Sequence, residues 1–230
     1  MHVVVHDGDR ELSGVAHPGE SWTAAARRTV ASRHLEPFPL DLSGEVKHFG
    51  VDRDTRVVLR AMGRGDLADL HRWRCAEHVV RWWRGGPVTA EEVEDRYGPR
   101  IDGRAPVRMW VVEVNGRSVG FVQDYLVADQ PEFAVPAPEP DAVGFDYAIG
   151  DPEWTGRGLG TRTVWAWLLR ARRRFPGTGV YVAAPDHRNH ASLRVLAKAG
   201  FAEGVWFDEV NDGEPATYVA CTLDVATVLG

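Results

Sequence analysis

A glycine-rich turn between a strand-like segment and a Trp-rich helix contains residue types that suit the binding of an anion. The turn reads Trp154-Thr155-Gly156-Arg157-Gly158-Leu159-Gly160-Thr161. Glycines at alternate positions let the backbone turn tightly and approach a ligand closely, and the following helix directs unpaired N–H groups and the positive end of its dipole toward an anion. The turn suits a pyrophosphate, and a purely structural turn is the alternative. Its spacing excludes the dinucleotide fingerprint G-x-G-x-x-G and the Gly-Lys-Ser/Thr ending of a P-loop.

The side-chain charges change sign across this turn. Residues 118–156 contain eight acids and no Lys or Arg, whereas residues 157–185 contain six arginines and no acid. This pattern predicts two ligands of opposite charge that meet at the turn, an amine held by the acids and an anion held by the glycines and arginines. Two solvated surfaces are the alternative, because arginines near the end of a helix also suit the negative end of its dipole.

Length and composition are those of a soluble globular protein with one domain and an appendage. The chain has 230 residues, of which 44% are hydrophobic and 26% charged, and a net charge of -6. Cys75 and Cys221 have no metal-ligand spacing, so we expect buried free thiols and no metal site. Since no signal peptide and no long apolar run is present, we expect a cytoplasmic monomer or homodimer without a membrane or nucleic-acid partner.

The elements that must position the turn follow a regular order from residue 57 onward. Hydrophobic periodicity predicts strands over residues 57–62, 109–114, 118–127, 142–149, 179–184, 201–210 and 216–223, and helices from residues 66, 90, 159 and 189. Asn115-Gly116 marks a hairpin, and Thr89-Ala90-Glu91-Glu92 is a capping box. The order predicts a mixed α/β sheet with helices on both faces, preceded by an N-terminal extension of unknown role over residues 1–55.

Several motifs resemble those of the GCN5-related N-acetyltransferases, the GNAT superfamily. Gly158-x-Gly160 follows a strand that ends Tyr147-Ala148-Ile149, and Asn189 and Ala199-Gly200-Phe201 flank the next helix. Within the superfamily the chain is most similar to the aminoglycoside 6'-N-acetyltransferases, through Arg81-Trp82-Trp83-Arg84-Gly85-Gly86, Gly120-Phe121-Val122-Gln123-Asp124-Tyr125, Gly144-Phe145-Asp146 and Asn211-Asp212-Gly213. The resemblance covers about residues 57–223, and it implies a GNAT domain over residues 56–230 with a mixed, mostly antiparallel central sheet.

The resemblance implies acetyl-CoA as the co-substrate and no metal. The backbone of Arg157, Gly158, Leu159, Gly160 and Thr161 would hold the pyrophosphate. The main chain of Tyr147, Ala148 and Ile149 would pair with the pantetheine amides, and Asn189 would lie near the pantetheine arm. The two strands that flank the site would have to separate to admit the cofactor.

The resemblance also implies an acceptor, a polycationic amine, and above all the 6'-amine of an aminoglycoside. An ammonium must lose a proton before its nitrogen attacks a thioester, and Asp146 is the candidate base. An ordinary aspartate, with a pKa of about 3.9, needs burial or a water relay for that task, and the alternative is that Asp146 only anchors the ammonium. The expected acceptor contacts are Trp82, Trp83, Gln123, Tyr125, Asp146, Asp186 and Asp212.

Two departures from the family pattern limit this assignment. Leu196 replaces a tyrosine that can protonate the leaving thiolate, so the general acid is unassigned, and Ala184 replaces an acid for which Asp186 is a candidate substitute. Direct attack in a ternary complex is expected, since neither cysteine lies in a catalytic motif. One alternative is a siderophore (hydroxy)lysine N-acyltransferase, which shares Asp186-His187-Arg188-Asn189 but has His in place of Asp146. The other is a non-catalytic acyl-CoA-binding module.

Overall fold

The computed structural model describes residues 2–7, 10–15, 56–83, 85–130, 141–211 and 214–229. At the N-terminus, β1 (His2–Asp7) and β2 (Arg10–Val15) form an antiparallel pair that is separate from the central sheet. The division into an extension over residues 1–55 and a domain over residues 56–230 stays a prediction.

The central sheet of the described residues has seven strands. They are β3 (Val57–Ala61), β4 (Val107–Val114), β5 (Arg117–Leu126), β6 (Val143–Ile149), β7 (Val180–Ala183), β8 (Ala202–Asn211) and β9 (Glu214–Asp224). Their order in space is β3-β4-β5-β6-β7-β9-β8, and all neighbouring pairs are antiparallel except β6 and β7. The predicted mixed, mostly antiparallel sheet is confirmed.

Helices cover both faces of this sheet, as predicted. They are α1 (Leu67–Arg74), α2 (Glu77–Val80), α3 (Ala90–Ile101), α4 (Leu159–Arg174), α5 (His190–Ala199) and α6 (Val225–Leu229). On one face, Trp73 of α1 and Tyr97 of α3 belong to one buried apolar cluster. On the other face, Trp167 of α4 and Leu196 of α5 belong to a second cluster. Among the helices described, none is long and apolar enough to cross a membrane.

The pairing between β6 and β7 is short. It joins Val143 to Tyr181 and Gly144 to Val182 in parallel, and it ends there. Residues 145–149 of β6 stay paired with β5 on their other side. The two central strands therefore separate after Gly144, the second residue of β6, which confirms the expected opening in the sheet.

Local sequence signals account for several element boundaries. At the start of α3, the Thr89 N–H donates to the Glu92 carboxylate, and the Glu92 N–H donates to Thr89 Oγ1, which is the predicted capping box. At the β4–β5 turn, Asn115 and Gly116 both have a positive φ, as a tight hairpin requires. Helix α4 begins and ends where the sequence predicts, whereas the short helices α2 and α6 were not predicted.

Gly150, which follows β6, lies against the indole of Trp73. A Cβ atom at this position would lie 2.1 Å from Trp73 Cγ. We predict that Gly150→Ala destabilises the fold by about 1–3 kcal/mol, because overpacking forces a buried ring to move. Gly177→Ala is the matched control, since no atom lies within 4 Å of its added Cβ. Thermal unfolding midpoints measure the difference, and equal midpoints for the two variants would contradict the prediction.

Candidate active site

A cavity lies where β6 and β7 separate. Its wall contains eight residues predicted from the sequence, namely Trp82, Trp83, Gln123, Tyr125, Asp146, Tyr147, Asp186 and Asn189. Among the wall residues that were not predicted from the sequence are six with polar or aromatic side chains, namely Arg96, Tyr97, Arg100, Ser192, Phe207 and Tyr218. No motif marks the missed residues. The helical spacing of positions 96, 97 and 100, which places them on one side of α3, is the signal that could have found three of them.

Asp146 and Tyr147 point to opposite faces of β6, because neighbouring side chains of a strand alternate. Tyr147 packs against the cluster under α4 and α5. Ala148, which shares the face of Asp146, packs against the cluster under α1 and α3. Both Asp146 and Tyr147 nevertheless contribute to the wall of one cavity. A molecule in the opening thus has a carboxylate on one side of the sheet and a phenol on the other.

The Asp146 carboxylate is held by Gln123, which lies directly opposite in the β5–β6 pairing. Gln123 Nε2 donates to Asp146 Oδ2 at 2.7 Å, and Gln123 Oε1 accepts a hydrogen bond from Arg100 Nη1 at 2.7 Å. Burial lowers the pKa of Arg100, and the nearby Asp146 is among the groups that oppose this change. A carboxylate, an amide and a cation thus form a hydrogen-bonded row across β6, β5 and α3.

The Tyr147 hydroxyl is 3.0 Å from Ser192 Oγ on α5. Burial raises the pKa of Tyr147, and the hydrogen bond with Ser192 opposes part of that rise. The phenol therefore keeps its proton at neutral pH. Leu196, one turn further along α5, is 1% exposed and belongs to the apolar core. A hydroxyl thus reaches α5 from β6, whereas position 196 supplies none.

Aromatic side chains line the acceptor side of the cavity. The ring centroid of Trp83 is 4.8 Å from that of Phe121, so this tryptophan also packs on the sheet. Tyr125 lies over Gly144, where an added Cβ would be 2.5 Å from the tyrosine ring. Trp82, Trp83 and Tyr125 all line the cavity, and their contacts with a ligand stay predictions.

Asp186 lies in the cavity wall, but its carboxylate is already bound by Arg188. It accepts from the backbone N–H, Nε and Nη2 of Arg188 at 2.8, 3.0 and 2.7 Å. The hydrogen bonds from the Arg188 side chain are the main reason that the pKa of Asp186 is lowered. The role of Asp186 in holding an amine stays a prediction, and Asp212 lies outside the described residues.

The glycine-rich turn presents the N-terminus of α4 without an acidic neighbour. Gly156 and Gly158 have φ values of +71° and +75°, and Gly158 occupies the N-cap position of α4. The first turn of α4 contains no acidic side chain, so its unpaired N–H groups and dipole favour an anion. Arg157 is exposed, with its guanidinium 5.4 Å from the centre of the Trp154 ring.

Other residues with expected cofactor roles also have structural roles. Asn189 Oδ1 caps α5 by accepting from the Ser192 N–H at 3.1 Å. A Cβ at Gly160 would lie 3.0 Å from Val195, so this glycine also lets α4 approach α5 closely. The Ile149 carbonyl is 2.8 Å from His78 Nε2, which places a protein partner at that end of the β6 edge. The main-chain contacts to acetyl-CoA that are expected for Ala148, Leu159 and Thr161 stay predictions.

The expected division into an acidic and a basic ligand surface is wrong for Asp124 and for Arg170 and Arg174. Asp124 is 1% exposed and accepts from Trp110 Nε1 at 2.6 Å and Trp167 Nε1 at 3.1 Å, so it lies in the core. Arg170 donates to a carbonyl of β3, and Arg174 lies 3.6 Å from Asp124. These arginines are on the last turns of α4, about 20 Å from the glycine-rich turn at the helical rise. The helix length separates them from the anion site.

The described residues offer no cysteine or metal cluster to this chemistry. Cys75 and Cys221 are free thiols outside the cavity wall, as expected, but only Cys221 is buried; the predicted burial of Cys75 is wrong, because its side chain is exposed. Burial raises the pKa of Cys221 to about 12. Within the described ranges, no group of three or more His, Cys, Asp or Glu side chains has an arrangement that could hold a metal ion. The cavity wall thus contains carboxylates and hydroxyls, whereas the glycine-rich turn and the N-terminus of α4 lie outside this wall.

Comparison with known proteins assigns this architecture to a family. Residues 63–208 match the acetyltransferase (GNAT) domain, which is more than half of the chain. The chain belongs to the GNAT acetyltransferases. This confirms the resemblance seen in the sequence and makes the protein an acetyl-CoA-dependent N-acetyltransferase.

Relatives of this GNAT chain narrow the comparison further. It is 30% identical over 169 residues to an aminoglycoside N(6')-acetyltransferase type 1 from Klebsiella pneumoniae, a match that covers 72% of this chain and 83% of the relative. A structure of AAC(6')-Ib with paromomycin and acetyl-CoA is 27% identical, has a TM-score of 0.61, and covers 73% of this chain and 93% of that one. A spermidine N-acetyltransferase from Vibrio cholerae, 19% identical with a TM-score of 0.61 over 76% of this chain and 98% of that one, shares the fold.

The geometry of the glycine-rich turn predicts the effect of a side chain at Gly158. An alanine with this positive φ costs about 1–2 kcal/mol, so we expect Gly158→Ala to displace the N–H groups and to weaken CoA binding about tenfold. Gly103→Ala is the matched control, because Gly103 has a φ of +74° in the turn after α3, which is not part of the glycine-rich turn. Calorimetric titration with CoA measures both. Equal CoA affinities in the two variants would show that the turn holds no part of CoA.

Proposed function

We propose that the protein transfers the acetyl group of acetyl-CoA to the 6'-amine of an aminoglycoside by direct attack in a ternary complex. The observation that carries the proposal is the position of Asp146 and Tyr147 on opposite sides of the sheet opening, in the wall of one cavity. Similarity to an aminoglycoside N(6')-acetyltransferase and to a structure bound to paromomycin and acetyl-CoA supports the choice of acceptor.

On the acceptor side, Asp146 takes the proton that the ammonium must lose. The Gln123 amide donates to Oδ2 of Asp146 and so holds the carboxylate in the cavity wall, where it faces an incoming amine. Trp82 and Trp83 provide apolar faces against which a sugar ring packs. The neutral amine nitrogen then attacks the thioester carbonyl carbon, and a C–N bond forms.

On the cofactor side, the C–S bond breaks and the thiolate of CoA needs a proton. In this proposal the Tyr147 hydroxyl donates it and regains a proton from solvent through Ser192, whose Oγ is 3.0 Å away. The phenol and the carboxylate act on opposite faces of the sheet, so one accepts and the other donates without competing for one proton. No acyl-enzyme is required, because the described cysteines lie outside the cavity wall.

The acceptor assignment is tested by CoA release with purified protein. We expect acetyl-CoA turnover with kanamycin-type aminoglycosides to exceed turnover with lysine derivatives and peptides, and mass spectrometry with NMR to place the acetyl group on the 6'-nitrogen. Acetylation of lysine derivatives in preference to every aminoglycoside would overturn the acceptor. CoA binding without turnover of any amine would overturn the enzymatic assignment of the site.

Asp146→Asn tests the base. We expect kcat to fall about 100-fold or more, in the range that loss of a positioned general base causes, with the KM for acetyl-CoA unchanged. Asp95→Asn is the control, because Asp95 is an exposed aspartate of α3 outside the cavity wall. If kcat of Asp146→Asn stays within a few-fold of the parent while the KM for the amine rises, Asp146 anchors the ammonium and is not the base.

Tyr147→Phe tests the proton donor. We expect kcat to fall about 10-fold to 100-fold, because the thiolate then leaves without a general acid, while CoA affinity stays the same. Tyr181→Phe is a matched control, since the Tyr181 hydroxyl is buried, has no hydrogen-bond partner among the described residues and lies outside the cavity wall. The solvent deuterium isotope effect on kcat should also change in Tyr147→Phe. Full activity in this variant would exclude Tyr147 as the donor.

A further inference from the structure

Arg100 is connected to Asp146 through one intervening side chain. Its Nη1 donates to Gln123 Oε1, and Gln123 Nε2 donates to Asp146 Oδ2, both at 2.7 Å. Gln123 is 4% exposed. Neither of these contacts to Gln123 is therefore readily replaced by bulk water.

The chemistry of the two end groups fixes the orientation of the amide between them. A guanidinium has donors and no acceptor, so it requires the amide oxygen of Gln123. The amide nitrogen must then face the Asp146 carboxylate, which as an anion only accepts. Both end groups thus favour the same orientation of the amide. Without Arg100, the Gln123 oxygen loses its charged donor and the contact with Asp146 alone orients the amide, so the carboxylate is held less firmly in place.

Arg100 itself is fixed by its position on α3. Its guanidinium lies 5.2 Å from the ring centre of Tyr97, one turn earlier on the same helix. The Tyr97 hydroxyl in turn accepts from Nε of the fully buried Arg74 on α1, at 3.0 Å. The packing of α1 and α3 thus determines where the Arg100 guanidinium lies. The position of this cation in turn affects the Asp146 carboxylate through Gln123.

We propose that Arg100 is a positioning residue for acetyl transfer, which orients Gln123 so that its amide holds the Asp146 carboxylate toward the acceptor. The proposal rests on the proposed function of Asp146. It assigns to α3 a direct influence on the reactive centre. It also accounts for a cation in the wall of a cavity that accepts cationic amines, because this cation is occupied by the Gln123 oxygen.

A double-mutant cycle tests the coupling. We expect Arg100→Met and Gln123→Met each to lower kcat/KM for the amine about tenfold, the cost of one hydrogen bond to a charged group, with the KM for acetyl-CoA unchanged. If Arg100 acts through Gln123, the kcat/KM of the double variant stays within about twofold of that of the less active single variant. Multiplicative losses in the double variant would overturn the proposal.

Two further variants separate orientation from charge. Arg96→Met removes a cation from the same wall of the cavity without removing a bond to Gln123, so the loss in Arg100→Met must exceed the loss in Arg96→Met. Arg100→Lys keeps one donor for the Gln123 oxygen and should recover part of the activity. An Arg96→Met loss as large as that of Arg100→Met, or an Arg100→Lys variant as poor as Arg100→Met, would contradict the orienting role.

The failure of this proposal is distinct from the failure of the proposed base. If Asp146 only anchors the ammonium, the same coupling between Arg100 and Gln123 appears in the dissociation constant for the aminoglycoside, and kcat is little affected. Absence of coupling in both quantities overturns the role of Arg100 and leaves Asp146→Asn to decide the base. Thermal unfolding midpoints of all variants identify any loss that comes from folding.

Discussion

The whole site depends on the short parallel pairing of β6 with β7. The two strands pair at two positions, after which residues 145–149 of β6 have β5 as their strand partner. The opening exposes one edge of a central strand inside the fold, and the alternation of a strand places Asp146 and Tyr147 on either side of that edge. A carboxylate and a phenol, adjacent in sequence, are therefore available to opposite sides of one reacting molecule.

The charges near the opening act individually and not as surfaces. Within the described part of the chain, Asp124 satisfies two indole N–H groups of the core, and Asp186 is bound by Arg188. In the cavity wall, Arg100 and Asp146 are connected through hydrogen bonds to Gln123. An amine that approaches Asp146 thus meets a carboxylate with one oxygen already held. This arrangement fixes the geometry of the base more than it raises the overall negative potential of the cavity.

Much of the fold could be predicted because its signals are local. The boundaries of α4, the capping box at Thr89 and the turn at Asn115-Gly116 depend on residues within a few positions of each other. The opening in the sheet was predicted from the resemblance and confirmed, because the glycine-rich turn and the strand before it belong to one contiguous segment. The short helices α2 and α6 contain too few residues to show the hydrophobic periodicity of a helix.

The parts of the site that escaped prediction come from contacts between distant segments. Arg100 lies 23 positions before Gln123, and Tyr147 lies 45 positions before Ser192. The helical spacing of positions 96, 97 and 100 places Arg100 beside Tyr97, but this spacing alone does not tell a site residue from a solvated arginine of an amphipathic helix. The same limit explains why the prediction of two charged ligand surfaces was wrong for these residues. The sequence shows the signs of the charges of Asp124 and Arg174, but it does not show that the two side chains lie close to each other.

The most direct measurement of the central claim is a structure of the protein with CoA and kanamycin. The account predicts an aminoglycoside amine within hydrogen-bond distance of Asp146 on the α3 side of the opening, and the sulfur of CoA beside the Tyr147 hydroxyl on the α5 side. The turn at Gly158 should contact the pyrophosphate. An amine and a sulfur on the same side of β6, or an aminoglycoside bound away from Asp146, would contradict the account.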